Sequence, residues 1–303
     1  MTNKPERLRR VQLAVPGNSE KFIAKAAASD ADHVFLDLED AVAPSAKVAA
    51  RSTVAAGLNE LDWGTKTRCV RINDLQTPYA YEDIITLMEL AGERLDTIMI
   101  PKVKTAADVQ WVDILLTQIE AKLGLDRRVG LEVLIEEVEG MMNVNQIAAS
   151  TPRLECLILG GGDYSASQGI DTSVAFQTRD YPGDIWHHAR FRLTIAARAN
   201  KLDAVDGPYA NLADFDGYRD ECWRAACLGM TGKWAVHPSQ IAHAKEIFSP
   251  TADEVAYARR LIAAYEDAQR RGEGAVEFEG VMIDVGSVRI LNLVLDKARR
   301  MGL

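Results

Sequence analysis

A chain of 303 residues, 48% hydrophobic and 26% charged, has the composition of a globular enzyme and the length to bury a large core without disulfides. Its 35 Lys and Arg against 44 Asp and Glu leave a formal charge of −9, which argues against nucleic acid as a partner, because phosphate backbones need a basic surface. That balance still allows one anionic small ligand held by a few local Arg or Lys.

In chain order, Val11–Val15 reads as a strand stopped by Pro16-Gly17, and Ser19 can cap a helix over Glu20–Ala28. His33–Leu38 is a second strand that runs into Glu39-Asp40, followed by a turn with Pro44 and a helix over Lys47–Leu58. Cys69–Ile72 and Thr97–Ile100 are the third and fourth strands, followed by helices Tyr81–Ala91 and Ala106–Leu123. Leu131–Glu136 and Leu157–Asp163 come next, two short apolar runs that each end in a carboxylate, with a helix around Met141–Ala149 between them. Helix Ile185–Ala199, strand Ala204–Asp206, helix Asp214–Leu228 and strand Lys233–Val236, ending at His237-Pro238, complete the series. Short apolar runs bounded by turns read as strands buried on both faces, the parallel-sheet kind. Eight of them alternating with helices over Val11–Phe248 predict an α/β fold, a closed TIM-type (β/α)8 barrel.

After Pro250 the pattern changes to a helix Ala252–Arg271, a break at Gly272–Gly274, a short hairpin over Val276–Asp284 and a helix Val288–Met301. The expected organisation is a catalytic barrel over residues 1–250 and a C-terminal extension, a lid or oligomerisation segment, over 251–303. The four cysteines follow no zinc spacing, and Cys69 and Cys156 lie in apolar runs, as buried thiols in a reducing compartment do. The first ten residues are polar and basic, and no apolar run approaches membrane-spanning length, so the expectation is a cytoplasmic protein with no membrane partner.

Nearly every strand ends in a polar signature: Glu39-Asp40, Arg71, Lys102, Glu136, Asp163, Asp206 and His237. In a barrel these ends share one mouth, where barrel enzymes build their sites. Glu136 and Asp163, the latter behind Gly160-Gly161-Gly162, are the expected ligands of a hard cation, Mg²⁺ or Mn²⁺ in its place. Taken singly, Glu136 can instead cap the next helix and Asp163 make an Asx turn. Arg71 can hold a carboxylate or a developing enolate through paired hydrogen bonds, the alternative being an ion pair with Glu39 or Asp40. Glu39 and Asp40 are expected to hold metal-bound water and to orient Arg71. Lys102 reads as a rim charge balancing those acids and His237 as a hydrogen-bonded turn residue. His33, His187, His188 and His243 read as structural or exposed, and the five tryptophans as packing. No G-x-G-x-x-G follows a strand and there is no Walker lysine loop, which argues against dinucleotide and ATPase sites.

Several motifs, taken together, resemble a known family. They are Pro16-Gly17-Asn18, Leu36–Pro44 with Lys47 and Arg51, Val70-Arg71-Ile72-Asn73, Ile100-Pro101-Lys102, Asp206-Gly207-Pro208, Gly232–Pro238, and farther on Gly274 and Val281-Met282-Ile283-Asp284. In order and spread over nearly the whole chain, they are similar to those of the citrate-lyase-beta-like acyl-CoA lyases of the HpcH/HpaI aldolase superfamily, in particular its malyl-CoA/β-methylmalyl-CoA lyase branch. The resemblance implies a Mg²⁺-dependent TIM-barrel enzyme, a homotrimer or homohexamer, that makes or cleaves a carbon–carbon bond beside a coenzyme A thioester. Its substrates would be an acyl-CoA and a 2-oxoacid such as glyoxylate. By motif position it implies Glu136 and Asp163 as Mg²⁺ ligands and Arg71 as the residue holding the 2-oxoacid oxygens and the thioester enolate. It also implies Lys25, Gly162, Val236 and His237 along the CoA channel. Asp284 matches an acid that closes over a neighbouring subunit's site and exchanges a proton with the acetyl methyl group. One stretch departs from the family: Ser165–Ile185, which includes Asp171–Gln177, is shorter than the family's glycine-rich insertion and bears on which 2-oxoacid is taken. Readings that share the fold are a malyl-CoA thioesterase, a citramalyl-CoA lyase and the citryl-cleaving beta subunit of citrate lyase. A non-catalytic assembly subunit is a different class, and the charges kept at Arg71, Glu136, Asp163 and Asp284 argue against it.

Overall fold

Eight short runs rich in Val, Ile and Leu form parallel strands that pair in sequence order and close into a barrel. They are β1 (Val11–Pro16), β2 (His33–Asp37), β3 (Thr67–Arg71), β4 (Thr97–Ile100), β5 (Gly130–Ile135), β6 (Leu154–Leu159), β7 (Asp203–Asp206) and β8 (Gly232–Ala235). β8 pairs back on β1, with Gln12 level with Trp234. This computed structural model describes residues 4–171 and 183–303, so most of the departing stretch Asp171–Gln177 lies outside the described residues. Helices alternate with the strands as expected for a (β/α)8 barrel. Their ends follow the local chemistry. Thr105 and Asp108 form a capping box that starts the helix Ala106–Leu123, and left-handed Gly124 ends it. The helix expected around Met141–Ala149 is instead two short ones, Val138–Met142 and Val144–Ala148. Asn143 leaves helical geometry between them and donates its side-chain N–H to the Lys104 carbonyl at 2.9 Å.

Strand residues alternate between the barrel interior and the surrounding helices. The interior is therefore layered. Phe35, Cys69, Met99, Leu134, Cys156, Ile158, Val205 and Trp234 form its apolar middle. Two residues before and after the middle position on the same strand face, ionisable side chains stand at both ends: His33, Phe35 and Asp37 on β2, and Glu132, Leu134 and Glu136 on and just after β5.

The lower charged layer centres on Glu132. Its carboxylate accepts from Arg9 Nε at 3.1 Å and Nη2 at 3.0 Å, from Gln12 Nε2 at 3.0 Å, from Thr97 Oγ1 at 3.3 Å, and pairs with His33 Nε2 at 3.0 Å. Arg9 also reaches Glu155 at 2.6 Å and Asp203 at 2.9 Å. Burial opposes ionisation, but His33 and Arg9 outweigh it and hold the Glu132 carboxyl well below the usual glutamate range.

The C-terminal unit, Glu246–Leu303, is compact by itself. The helix Ala252–Arg270, the hairpin β9 (Val276–Phe278) and β10 (Val281–Ile283), and the helix Val285–Arg300 enclose a small core of Leu261, Tyr265 and Ile283. The last helix starts three residues earlier than the sequence suggests, because Asp284 caps it: its carboxylate accepts from Ser287 N at 2.8 Å. Among the described residues, no helix is long and apolar enough to cross a membrane.

Removing one partner from a buried ion network typically costs about 3–5 kcal/mol, because the remaining charge is left uncompensated. Glu132→Ala should therefore lower the unfolding free energy by about 3 kcal/mol or more in urea denaturation at neutral pH. The sign with pH follows from the depressed carboxyl. Its contribution is complete above the unfolded-state glutamate value of about 4.3 and shrinks as pH falls beneath it. The gap between wild type and variant should narrow on acidification; a gap that stays constant from pH 7 to pH 3 would show that Glu132 is not the ionised hub.

Candidate active site

β2 and β3 are adjacent and in register, so Asp37 stands level with Arg71 at the end where the loops begin. The Asp37 carboxylate takes Arg71 Nε and Nη2 through its two oxygens, each at 2.7 Å. The same carboxylate accepts from the backbone N–H groups of Glu39 at 2.9 Å and Ala41 at 3.0 Å, which fixes the loop after β2. Burial opposes its ionisation, yet Arg71 holds its carboxyl below the usual range. Arg71 is itself buried, and Asp37 and Glu39 keep its guanidinium charged. The guanidinium carbon lies 5.9 Å from the Phe35 ring centroid and 5.7 Å from that of Trp234.

Orientation of Arg71 therefore comes chiefly from Asp37, not from Glu39 and Asp40 as the sequence suggests. Glu39 Oε2 lies 3.1 Å from Arg71 Nη1 but accepts no directed hydrogen bond, and Asp40 is exposed. Lys102 Nζ donates to Glu39 Oε1 at 2.7 Å and to Asp40 Oδ1 at 3.4 Å. Lys47 holds the same loop by donating to the Leu38 carbonyl at 3.0 Å, the Glu39 carbonyl at 2.8 Å and Asn73 Oδ1 at 2.5 Å.

Glu136 is buried just past β5 and does not cap the following helix, whose N-cap position is Glu137. Its Oε1 accepts from the backbone N–H of Lys102 at 2.9 Å. Gly160, just past β6, lies so close that an added Cβ would stand 2.5 Å from Glu136 Oε2. Only glycine fits there. Asp163 sits in the first turn of the helix Gly161–Gln168 and is exposed. Burial pushes the Glu136 carboxyl well above its usual range, the neighbouring Glu39 and Asp163 push it further, and Arg71 works against them. Burial also raises Glu39, against the pull of Arg71 and Lys102.

A cavity of about 420 Å³ opens over this group. Arg71, Asp40, Glu136, Gly162, Asp163 and Val236 line it, with Phe35 and Trp234 as its apolar side. A larger cavity, about 510 Å³, shares the Gly162 and Pro208 wall. The smaller one is the candidate site because Glu136, Asp163 and Arg71 line it together; in the larger one the buried cations Arg190 and Lys233 both bond Asp206, at 2.8 and 2.6 Å. Lys25 is exposed on the helix Glu20–Ala27, and His237 is exposed with Nδ1 2.8 Å from Ser239 Oγ; neither lines the cavity. Asp284 belongs to the C-terminal unit, where Ser287 holds its carboxyl below the usual range.

The donor set fits a hard divalent cation. Glu136 and Asp163 offer carboxylate oxygens, and burial together with the neighbouring acids Glu39 and Asp163 raises Glu136, a cost that a cation relieves. Among the described residues a His, Cys and Glu grouping also exists, His33, Cys69 and Glu132, but Arg9 and Gln12 already fill the Glu132 oxygens.

The profile of the HpcH/HpaI aldolase/citrate lyase family matches residues 10–238. An L-malyl-CoA/beta-methylmalyl-CoA lyase of Cereibacter sphaeroides is 43% identical, covering 97% of this chain and 96% of the relative. The mitochondrial citramalyl-CoA lyase of Rattus norvegicus is 34% identical over 91% of this chain and 82% of its own length. The crystal structure of protein CitE from Mycobacterium tuberculosis in complex with magnesium, acetoacetate and coenzyme A is similar at a TM-score of 0.73 and 29% identity, covering 97% of this chain and 98% of that one. A profile match over most of the barrel and a relative this similar along nearly its whole length place the chain in the HpcH/HpaI aldolase/citrate lyase family.

Proposed function

We propose that this chain is a Mg²⁺-dependent carbon–carbon lyase that reversibly cleaves a 3-hydroxyacyl-CoA, such as (S)-malyl-CoA or β-methylmalyl-CoA, to acetyl-CoA or propionyl-CoA plus glyoxylate. The observation that carries this reading is one cavity in which a fixed guanidinium stands among carboxylates short of positive charge. The reaction named for the malyl-CoA lyase relative supports it.

Glu136 and Asp163 would hold Mg²⁺, which supplies a Lewis acid for the carbonyl and carboxylate oxygens of the 2-oxoacid. In the cleavage direction the 3-hydroxyl gives up its proton and the C2–C3 bond breaks. The electron pair of that bond passes to the thioester as an enolate. Arg71, with Nε and Nη2 bonded to Asp37 and Nη1 3.1 Å from Glu39 Oε2, would offer its remaining N–H groups to the charge that develops on oxygen. Phe35 and Trp234 keep one side of the cavity apolar, which strengthens each of these contacts. The enolate carbon then takes up the proton that left the hydroxyl, and Asp284, a carboxylate until it receives that proton, is the proposed carrier. Met282, Val285, Ile290 and Leu293 are exposed around the start of the last helix, an apolar surface that a homo-oligomer would cover. In such a trimer or hexamer, Asp284 of one subunit would serve a neighbour's site, with Lys25, Val236 and His237 along the coenzyme A channel.

Mass-spectrometric analysis of products from malyl-CoA, β-methylmalyl-CoA and citramalyl-CoA tests the reaction class. Acetyl-CoA or propionyl-CoA is the expected thioester product, lost on treatment with EDTA and restored by Mg²⁺ or Mn²⁺. Free coenzyme A in its place would make the chain a thioesterase. Arg71→Lys keeps the charge but loses the planar fork that Asp37 grips, so kcat/KM should fall by about 10²-fold. A value within assay error of wild type would reduce Arg71 to a structural ion pair. Asp284→Asn should retain Mg²⁺ binding and lose turnover. Co-refolding it with Glu136→Ala chains should restore part of the activity if Asp284 acts in trans; hybrids that assemble and stay inactive would remove that assignment.

A further inference from the structure

Lys102 has a left-handed backbone, with φ at 49°. Among the described residues, only Lys201 and Glu279 share that feature without being glycine. Glu279 forms the tight turn between β9 and β10, and Lys201 the turn that leads into β7. Lys102 stands at a bend just after Pro101, at the end of β4 and the barrel mouth. A strained backbone persists where its surroundings hold it, and at sites that strain commonly positions something.

What it positions is on two other strands. The turned backbone aims its N–H at Glu136 Oε1, 2.9 Å away after β5. The side chain passes the other way, across the end of β3, and its ammonium reaches Glu39 Oε1 at 2.7 Å and Asp40 Oδ1 at 3.4 Å after β2. The second oxygen of Glu39 faces Arg71 Nη1 at 3.1 Å. Each oxygen of Glu39 thus meets a cation, whereas Oε1 of Glu136 meets a neutral N–H. A dication is drawn to carboxylates that no other cation has neutralised.

We propose that Lys102 is a positioning residue that sorts the carboxylates of the mouth, withholding Glu39 from the metal and presenting Glu136 with Asp163. The inference rests on the Mg²⁺ site proposed above. Its functional sense lies in the coordination needs of Mg²⁺, which takes one or two carboxylates and leaves its other positions for water and substrate oxygens. A third carboxylate would bind the ion more tightly and occupy a position that the 2-oxoacid needs.

The test is calorimetric titration of MgCl₂ into the wild type, Lys102→Met, Lys102→Gly and Lys102→Arg, with kcat and KM for the acyl-CoA measured on the same preparations and thermal melting to check folding. Loss of the ammonium should tighten Mg²⁺ binding and lower kcat, each by about 10-fold, a typical effect of residues that orient metal ligands, with KM little changed. Lys102→Gly accommodates the left-handed backbone and keeps the N–H to Glu136, so it should behave as Lys102→Met does. Lys102→Arg keeps the charge and should restore both quantities. A folded Lys102→Met whose Mg²⁺ affinity is unchanged or weaker overturns the proposal and leaves Lys102 as a rim charge. A wild type that binds no Mg²⁺ overturns the metal reading itself, and this inference with it.

Discussion

The pair on which the mouth of this barrel depends is Asp37 with Arg71. Parallel pairing of β2 and β3 sets them level, and two bonds of 2.7 Å fix the plane of the guanidinium. Charge-assisted, bidentate contacts of this kind are the strong ones. Asp37 also anchors the backbone of Glu39 and Ala41, so the loop that carries the next acids is set by the same carboxylate that aims the cation. Around it, Lys47 fixes the carbonyls of Leu38 and Glu39, and Arg51 holds Asp83 at 2.7 Å, which in turn accepts from Asn73. These lysine and arginine residues of the motif act as scaffold. They hold two adjacent strand ends so that Arg71 presents a fixed charge to the cavity.

The barrel was legible because each strand is a short apolar run closed by a turn signal, and strict alternation with helices leaves few topologies. The strand-end acids were legible for the same reason: a carboxylate after a buried strand has one place to go. Register was not. Nothing in the sequence alone sets Asp37 opposite Arg71, and Asp37 reads as one more residue inside His33–Leu38. The lower layer was hidden by a related effect. Strands buried on both faces lack the alternation that would mark Glu132 and His33 as pointing inward, and their partner Arg9 comes from the polar, basic first ten residues, which carry no strand pattern. The start of the last helix had a readable signal, since Asp284 and Ser287 stand at capping-box spacing, but the hairpin reading absorbed Asp284. The tryptophans divide: Trp63 and Trp234 are buried, while Trp111 and Trp223 are exposed.

Glu132 and Glu136 are four residues apart, at the two ends of one inner strand face, and both are buried. Burial alone raises the carboxyl of each. At Glu132 the neighbours are Arg9 and His33, with Gln12 and Thr97 completing its hydrogen bonds, and the balance falls far to the ionised side. At Glu136 the neighbours include Glu39 and Asp163, and Arg71 does not offset them, so the balance falls the other way. The chemistry of the side chain is the same and the burial similar, so the difference lies in the number of cations supplied. The lower layer is an ion network closed within the chain, as a stabilising element must be. The upper layer has more carboxylate than the chain neutralises. A protein that only had to fold would gain nothing from that excess, because buried charge without a partner is destabilising. The excess becomes favourable once a cation and an anionic substrate enter together, and this ties the polarity of the barrel, closed below and incomplete above, to the reaction proposed for its mouth.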